Sequence, residues 1–198
     1  MSEAEAAAQT AEPEWVLPYR GTVGMASLIA AESAIFLIFV VAYVFYIGKS
    51  ISGPTPKEVL EAPIFASICL LSSSLTIHYA VAGLRKGQTG MFTAMWFATF
   101  VLGTIFIVAT GIEWHHLIYQ EGLTISTNLF GTTYYSLVGL HAFHVTVGLV
   151  GLLLGLVFAL MGRVHAEHAE RAEVFSLYWH FVDAVWVVVF TVVYIVGR

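Results

Sequence analysis

Ionisable side chains inside long apolar runs are the first feature of this sequence that bears on chemistry. His141 and His144 stand three residues apart in one run, and His180 and Asp183 three apart in another. Residues three apart on a helix share a face, so each pair presents two polar groups in one direction. Neutral imidazole is a common metal ligand and a carboxylate often orients it, so the two faces could converge on a metal or a haem. Two histidines of one helix cannot reach opposite faces of one haem, so a bis-histidine site would need His180 as the second ligand. The same residues have a structural use: polar groups that pair across helices in a water-poor bundle fasten it, at about 0.5–2 kcal/mol each.

Three further positions invite the same question. Glu32, in Ala31-Glu32-Ser33, is a carboxylate deep in an apolar run, where an ionisable group needs a partner, a cavity or a function. His78 and Glu113 stand nearer the ends of theirs. His115 and His116 are adjacent and point about 100° apart on a helix, so they do not share a face. Glu113 to His116 therefore reads as a helix-end cluster at the membrane interface, with Trp114 and Tyr119 as anchors at headgroup level. The single Cys69 excludes a disulfide framework and a thiolate metal site of the usual spacing, and reads as a small buried apolar residue. Arg163, His165, Glu167, His168, Glu170 and Arg171 read as a solvated loop. No nucleophile–base pair or phosphate loop accompanies them.

The elements that must position these groups follow from composition. Of 198 residues, 59% are hydrophobic and 11% charged, the net charge is −5, and the mean hydropathy is +0.84. A soluble domain does not have such values, and no basic concentration suits nucleic acid. A spanning helix needs about 20 apolar residues, since the hydrocarbon layer is about 30 Å thick. Five stretches qualify: Thr22 to Gly48, Ala62 to Leu84, Met91 to Leu117, Thr133 to Met161 and Val174 to Gly197. Between them lie Lys49 to Ala62 with its glycine and prolines, the basic turn Arg85 to Gly90, the polar Ile118 to Thr132, and the charged Gly162 to Glu173. The fold class is thus all-α, a bundle of five transmembrane helices over residues 20–198, preceded by a mobile cytoplasmic tail over residues 1–19. Nothing in that tail resembles a signal peptide, so the first span is expected to direct insertion.

Orientation comes from the basic residues. Arg20, Arg85, Lys86, Arg163 and Arg171 fall on one side, and Lys49, Lys57 and Arg198 on the other, which favours a cytoplasmic N-terminus and an external C-terminus. Gly139, Gly148, Gly151 and Gly155 in the fourth span permit a close approach, whether by another helix, another subunit or a lipid tail.

Three segments together resemble one family. Tyr178-Trp179-His180-Phe181-Val182-Asp183-Ala184-Val185-Trp186 resembles the WHFxDxxW signature of cytochrome oxidase subunit III. Gly139-Leu140-His141-Ala142-Phe143-His144-Val145 is similar to that family's GxHxxHV, and Glu113-Trp114 leads through Phe130-Gly131-Thr132 into it in the family's order. Ala31-Glu32-Ser33 resembles the membrane glutamate of the family, which is associated with carbodiimide reactivity and proton uptake. The resemblance runs from Tyr19 to Arg198.

The resemblance implies a short, five-helix bacterial form: longer members carry two additional N-terminal helices that open a lipid-filled cleft, and this chain begins at the third. Thr110 stands where the family commonly has Gln, so a partner of Glu113 is changed. Also implied is a supporting subunit of a haem-copper terminal oxidase in the bacterial inner membrane, where cytochrome c oxidation is coupled to oxygen reduction and proton pumping. Haem and copper then belong to partner subunits I and II, subunit I being the main contact, and this chain carries no cofactor of its own beyond bound phospholipid. Short quinol-oxidase subunits share the same motifs, which leaves quinol as the alternative donor. On this reading Glu32 and Glu113 support proton uptake, while His141, His144, His180 and Asp183 fasten the fourth and fifth helices. Two other classes stay open: a haem-binding electron carrier on His141, His144 or His180, and a proton-coupled carrier on Glu32 and Asp183.

Overall fold

The computed structural model describes residues 19–50 and 52–197; the expected tail, Tyr19 apart, lies outside the described residues. Among the described residues five helices are long and apolar enough to cross a membrane. They are α1 (Arg20–Tyr46), α2 (Ile64–Arg85), α3 (Thr89–Tyr119), α4 (Leu129–Leu160) and α5 (Ala169–Phe190). A 3₁₀ turn, Ala166–His168, leads into α5, and a π-helical turn, Thr191–Val196, continues it. Among the described residues there is no strand, as expected where each backbone group must be satisfied within its own helix.

Three starts fall two residues from the expected ones, and two fall four or five residues earlier. Helix α4 begins at Leu129, not Thr133, because Asn128 caps it. The Asn128 Oδ1 accepts the Gly131 N–H at 2.8 Å. The Asn128 amide also donates to the Ser52 and Pro54 carbonyls at 3.1 and 3.2 Å, so one side chain ties two loops at this end of the bundle. Helix α5 begins at Ala169, not Val174. The charged stretch after Gly162 holds no Gly or Pro, and its second half, residues 169–173, is Ala, Glu and Arg only, which favour helix, so the expected loop is helical there. Between α1 and α2 a single helical turn, Pro56–Val59, is started by proline and closed by a Thr55–Glu58 capping box. There the Thr55 N–H, at 2.9 Å, and its hydroxyl hold the Glu58 carboxyl below the ordinary carboxylate range.

Helices α4 and α5 form the middle of the bundle. Helix α1 packs against both, α2 packs against α5, and α3 closes the arrangement between α2 and α4. Helix α1 buries only Phe36 and Tyr43, so most of its surface faces outward. The α2–α3 pair is joined by a tight turn in which Gly87, at φ +72, takes the left-handed conformation that ends α2. At the same end of the molecule an ion pair between Arg85 and Glu173 links α2 to α5.

Aromatic rings fill the interior, Trp179, Trp186, Tyr134 and Phe106 being almost wholly buried. Two of the glycines expected to allow close approach, Gly148 and Gly155, and also Gly103 of α3, receive tryptophan rings. A Cβ on Gly148 would stand 2.7 Å from the Trp179 ring, one on Gly103 2.8 Å from it, and one on Gly155 2.9 Å from Trp96. Tryptophan rings of facing helices pack against these glycines.

Candidate functional site

The family-like motif of α5 turns one face to α2. Trp179 and Trp186 donate their indole N–H groups to the hydroxyls of Ser73 (2.7 Å) and Ser67 (3.0 Å), and between them Asp183 accepts from the Ser74 hydroxyl at Oδ2. Ser74 also bonds His180 Nδ1 at 3.0 Å. His180 and Asp183 therefore meet α2, whereas pairing with α4 was expected. The serines were the missing partners. Ser72-Ser73-Ser74 in an apolar span was the signal, because hydroxyls at membrane depth are expensive unless they have a partner.

Ser74, His180 and Asp183 are the residue types of a hydrolytic triad, yet the order is wrong for one. Nucleophilic chemistry needs the imidazole between the hydroxyl and the carboxylate, and here the hydroxyl lies between the other two.

On the other side of α4, His144 meets Glu32. His144 Nδ1 lies 2.8 Å from the Leu140 carbonyl, and Nε2 lies 3.2 Å from Glu32 Oε2. A carbonyl only accepts, so Nδ1 carries a hydrogen. Nε2 then either accepts a proton from a neutral Glu32 or, as imidazolium, donates to a carboxylate. Either form of the bond places one hydrogen between Nε2 and Oε2. Phe36 covers the imidazole, with ring centroids 5.0 Å apart, and Tyr178 of α5 donates to the His144 carbonyl at 2.9 Å.

His141 takes a separate path. It is fully buried and stacked on Trp186 at 4.9 Å, with the edge of Phe106 against it, and neither ring nitrogen has a hydrogen-bond partner among the described residues. The hydrogen-bonded fastening expected of His141 is absent there, and stacking takes its place. The two α4 histidines diverge, one toward α5 and one toward α1. Among the described residues no three His, Cys, Asp or Glu side chains converge in a way that could hold a metal ion. His141, His144 and His180 meet three different neighbours, Trp186, Glu32 and Ser74.

Glu113 forms a third assembly at the opposite end from Arg85. Tyr194 and Tyr134 both donate to its Oε1, at 2.8 and 3.1 Å, so this carboxylate joins α3 to α4 and to the C-terminal π-helical turn. Thr110, at the position where the family commonly has Gln, bonds the Phe106 carbonyl of its own helix and does not replace that partner. Glu58, Glu61, His116 and Glu121 surround Glu113 in an open acidic pocket of about 400 Å³. Trp114 packs inward on Tyr135 with its indole nitrogen buried, so it is not the headgroup anchor expected; Tyr119, 75% exposed, is placed for that. The structure does not bring Glu32 and Glu113 together: one lies midway along α1, the other near the end of α3.

At the Arg85 end an open cleft of about 490 Å³ is lined by Phe92, Trp96, Gly155 and Phe175, with Arg163, His168 and Arg171 at its rim.

Comparison with known proteins follows the same residues. The model of the family described as cytochrome c oxidase subunit III matches residues 21–198. A cytochrome c oxidase subunit 3 of Synechocystis sp. is 37% identical over 177 residues, covering 87% of this chain and 74% of the relative. One of Alkalihalophilus pseudofirmus is 34% identical over 88% of this chain and 86% of its own length. A cytochrome bo(3) ubiquinol oxidase subunit 3 of Pseudomonas aeruginosa is 34% identical over 84% of this chain and 80% of its own length.

Proposed function

The chain belongs to the cytochrome c oxidase subunit III family, a multi-pass membrane subunit of a terminal oxidase, and from that premise we propose that it supports proton uptake by the oxidase without redox chemistry of its own. The observation that carries this reading is the Glu32–His144 contact, a carboxyl oxygen 3.2 Å from an imidazole nitrogen midway through the bundle, beside the outward face of α1. Such a pair can take a proton at one group and give it up at the other with no net charge left in the low-dielectric interior. Haem and copper belong on this reading to subunits I and II, with subunit I as the main neighbour. Those groups supply the electron transfer and oxygen reduction, and this chain's residues hold helices, lipid and protons beside them.

The exposed apolar flank of α1 fits contact with another membrane subunit. The cleft under Arg163, His168 and Arg171 fits a phospholipid, since guanidinium groups pair with phosphate oxygens. Basic residues at the Arg85 end favour that end as cytoplasmic and the C-terminus as external. Glu113 then lies toward the external side, where its tyrosine bonds fit a role in holding helix ends more than one in uptake. Cytochrome c is the donor we propose, with quinol as the second reading because the Pseudomonas relative is a ubiquinol oxidase subunit.

Purification through a tag on this chain tests the core of the reading. A haem-copper subunit should co-purify, and the chain expressed alone should show no Soret band. A stable complex without haem protein, or a Soret band from the chain alone, would overturn it. Oxidation of reduced cytochrome c against oxidation of quinol by the same preparation separates the two donors.

A further inference from the structure

Along the seam between α2 and α5 the polar groups form levels. Arg85 and Glu173 are ion-paired at the end of the bundle. His78 lies seven residues before Arg85 and His180 seven after Glu173. At the helical rise per residue, each stands about 10 Å further in. Ser74 and Asp183 follow one turn deeper, near the middle of a hydrocarbon layer about 30 Å thick. His78 is exposed, His180 half-buried and Asp183 buried, so exposure falls along the column.

The deepest three groups are connected. His180 Nδ1 is 3.0 Å from Ser74 Oγ, and the Ser74 hydroxyl bonds Asp183 Oδ2. Asp183 Oδ1 is buried with no partner among the described residues, so no donor there holds a negative charge. A static fastening leaves that oxygen unexplained, because an unsatisfied buried acceptor is costly. A carboxyl that takes up and releases a proton does not require a second fixed donor.

We infer that the α2–α5 seam is a proton-access column from the Arg85 end, with His180 as its intake, Ser74 as its relay and Asp183 as its terminal acceptor. The step balances. His180, protonated on both nitrogens, gives its Nδ1 proton to Ser74 Oγ while the Ser74 O–H proton passes to Asp183 Oδ2. The O–H bond that breaks on serine is replaced by the one that forms. The products are a neutral Nε2–H imidazole, an intact serine and a protonated carboxyl; the reverse step returns the proton. The column concerns Asp183 itself and does not rest on the Glu32–His144 reading.

Infrared difference spectra of the purified complex holding the full chain provide the test. Subtracting Asp183→Asn from wild type isolates the Asp183 carboxyl band, and transfer into D₂O times its downshift. Ser74→Ala and His180→Phe each remove a link and should slow that exchange about tenfold or more. Ser74→Thr keeps a hydroxyl and should restore the wild-type rate, which a purely structural role would not require. If Ser74→Ala fails to assemble, Ser74→Cys retains the size with a weaker hydrogen-bonding group and should also exchange more slowly. Equal rates in wild type and the alanine or cysteine variant, or no protonated carboxyl band assignable to Asp183, would overturn the column. Oxygen consumption is not part of this readout, so that result leaves the oxidase reading standing.

Discussion

Replacing Glu32 by Gln and by Leu separates proton exchange from fastening at the α1–α4 contact. In Glu32→Gln the side-chain amide can donate to His144 Nε2 across the same 3.2 Å, while His144 keeps its Nδ1–H bond to Leu140. One hydrogen bond is retained and only its mobile proton is lost. The cost is at most the difference between a charge-assisted bond and a neutral one, about 1 kcal/mol. Glu32→Leu instead leaves Nε2 unpartnered on a side chain only 9% exposed. An orphaned buried nitrogen costs about 1–3 kcal/mol. Leu should therefore reduce the amount of this chain retained per haem, and Gln should leave it near normal. Protons moved per electron and the decay of activity during turnover, measured in reconstituted vesicles, then read the function. Glu32→Gln should lower the ratio or hasten the decay at normal assembly. Unchanged ratio and decay would refute the proton role and leave Glu32 a fastening.

Gly148→Ala places a methyl 2.7 Å from a Trp179 ring already fixed by its bond to Ser73. Overpacking of about 1–3 kcal/mol should appear as a lower midpoint for thermal loss of the subunit. His180→Ala and Asp183→Ala should reduce assembly more than turnover per haem, and normal yield with no oxygen consumption would refute the fastening role and assign them a role in turnover. Tyr194→Phe removes the 2.8 Å bond to Glu113. Faster amide exchange at Thr191–Val196 should follow without loss of α3. The Glu58 carboxyl is bound in the native turn, so its contribution is complete above the ordinary Glu pKa. It is lost as pH falls through the lowered native value. Acid should thus loosen Pro56–Val59 in wild type but add little in Glu58→Gln, as measured by amide exchange there.

The number of spans and their approximate limits were legible in the sequence, because hydropathy over about 20 residues is a local property read against a fixed membrane thickness. The α5 motif was legible in the same way: Trp179, Asp183 and Trp186, spaced by four and three, had to share one face. Which helix that face would meet was not. A serine hydroxyl carries no address, and Ser67, Ser73 and Ser74 acquire their roles only when α2 packs against α5. The start of α5 escaped for a related reason, since charged residues that would form a loop beside lipid are good helix formers once the helix extends beyond it.

His141 and His144 show the limit most clearly. Three residues on a helix differ by about 60° in direction, close enough to count as one face in a sequence. Tertiary packing uses that angle to send His141 onto Trp186 of α5 and His144 to Glu32 of α1. The sequence by itself determined the family, the five apolar spans and the chemical identity of every polar group within them. Only the tertiary structure decided which of those groups share a proton, which stack and which stand without a partner, because each contact joins helices far apart in the chain and depends on how the whole bundle closes.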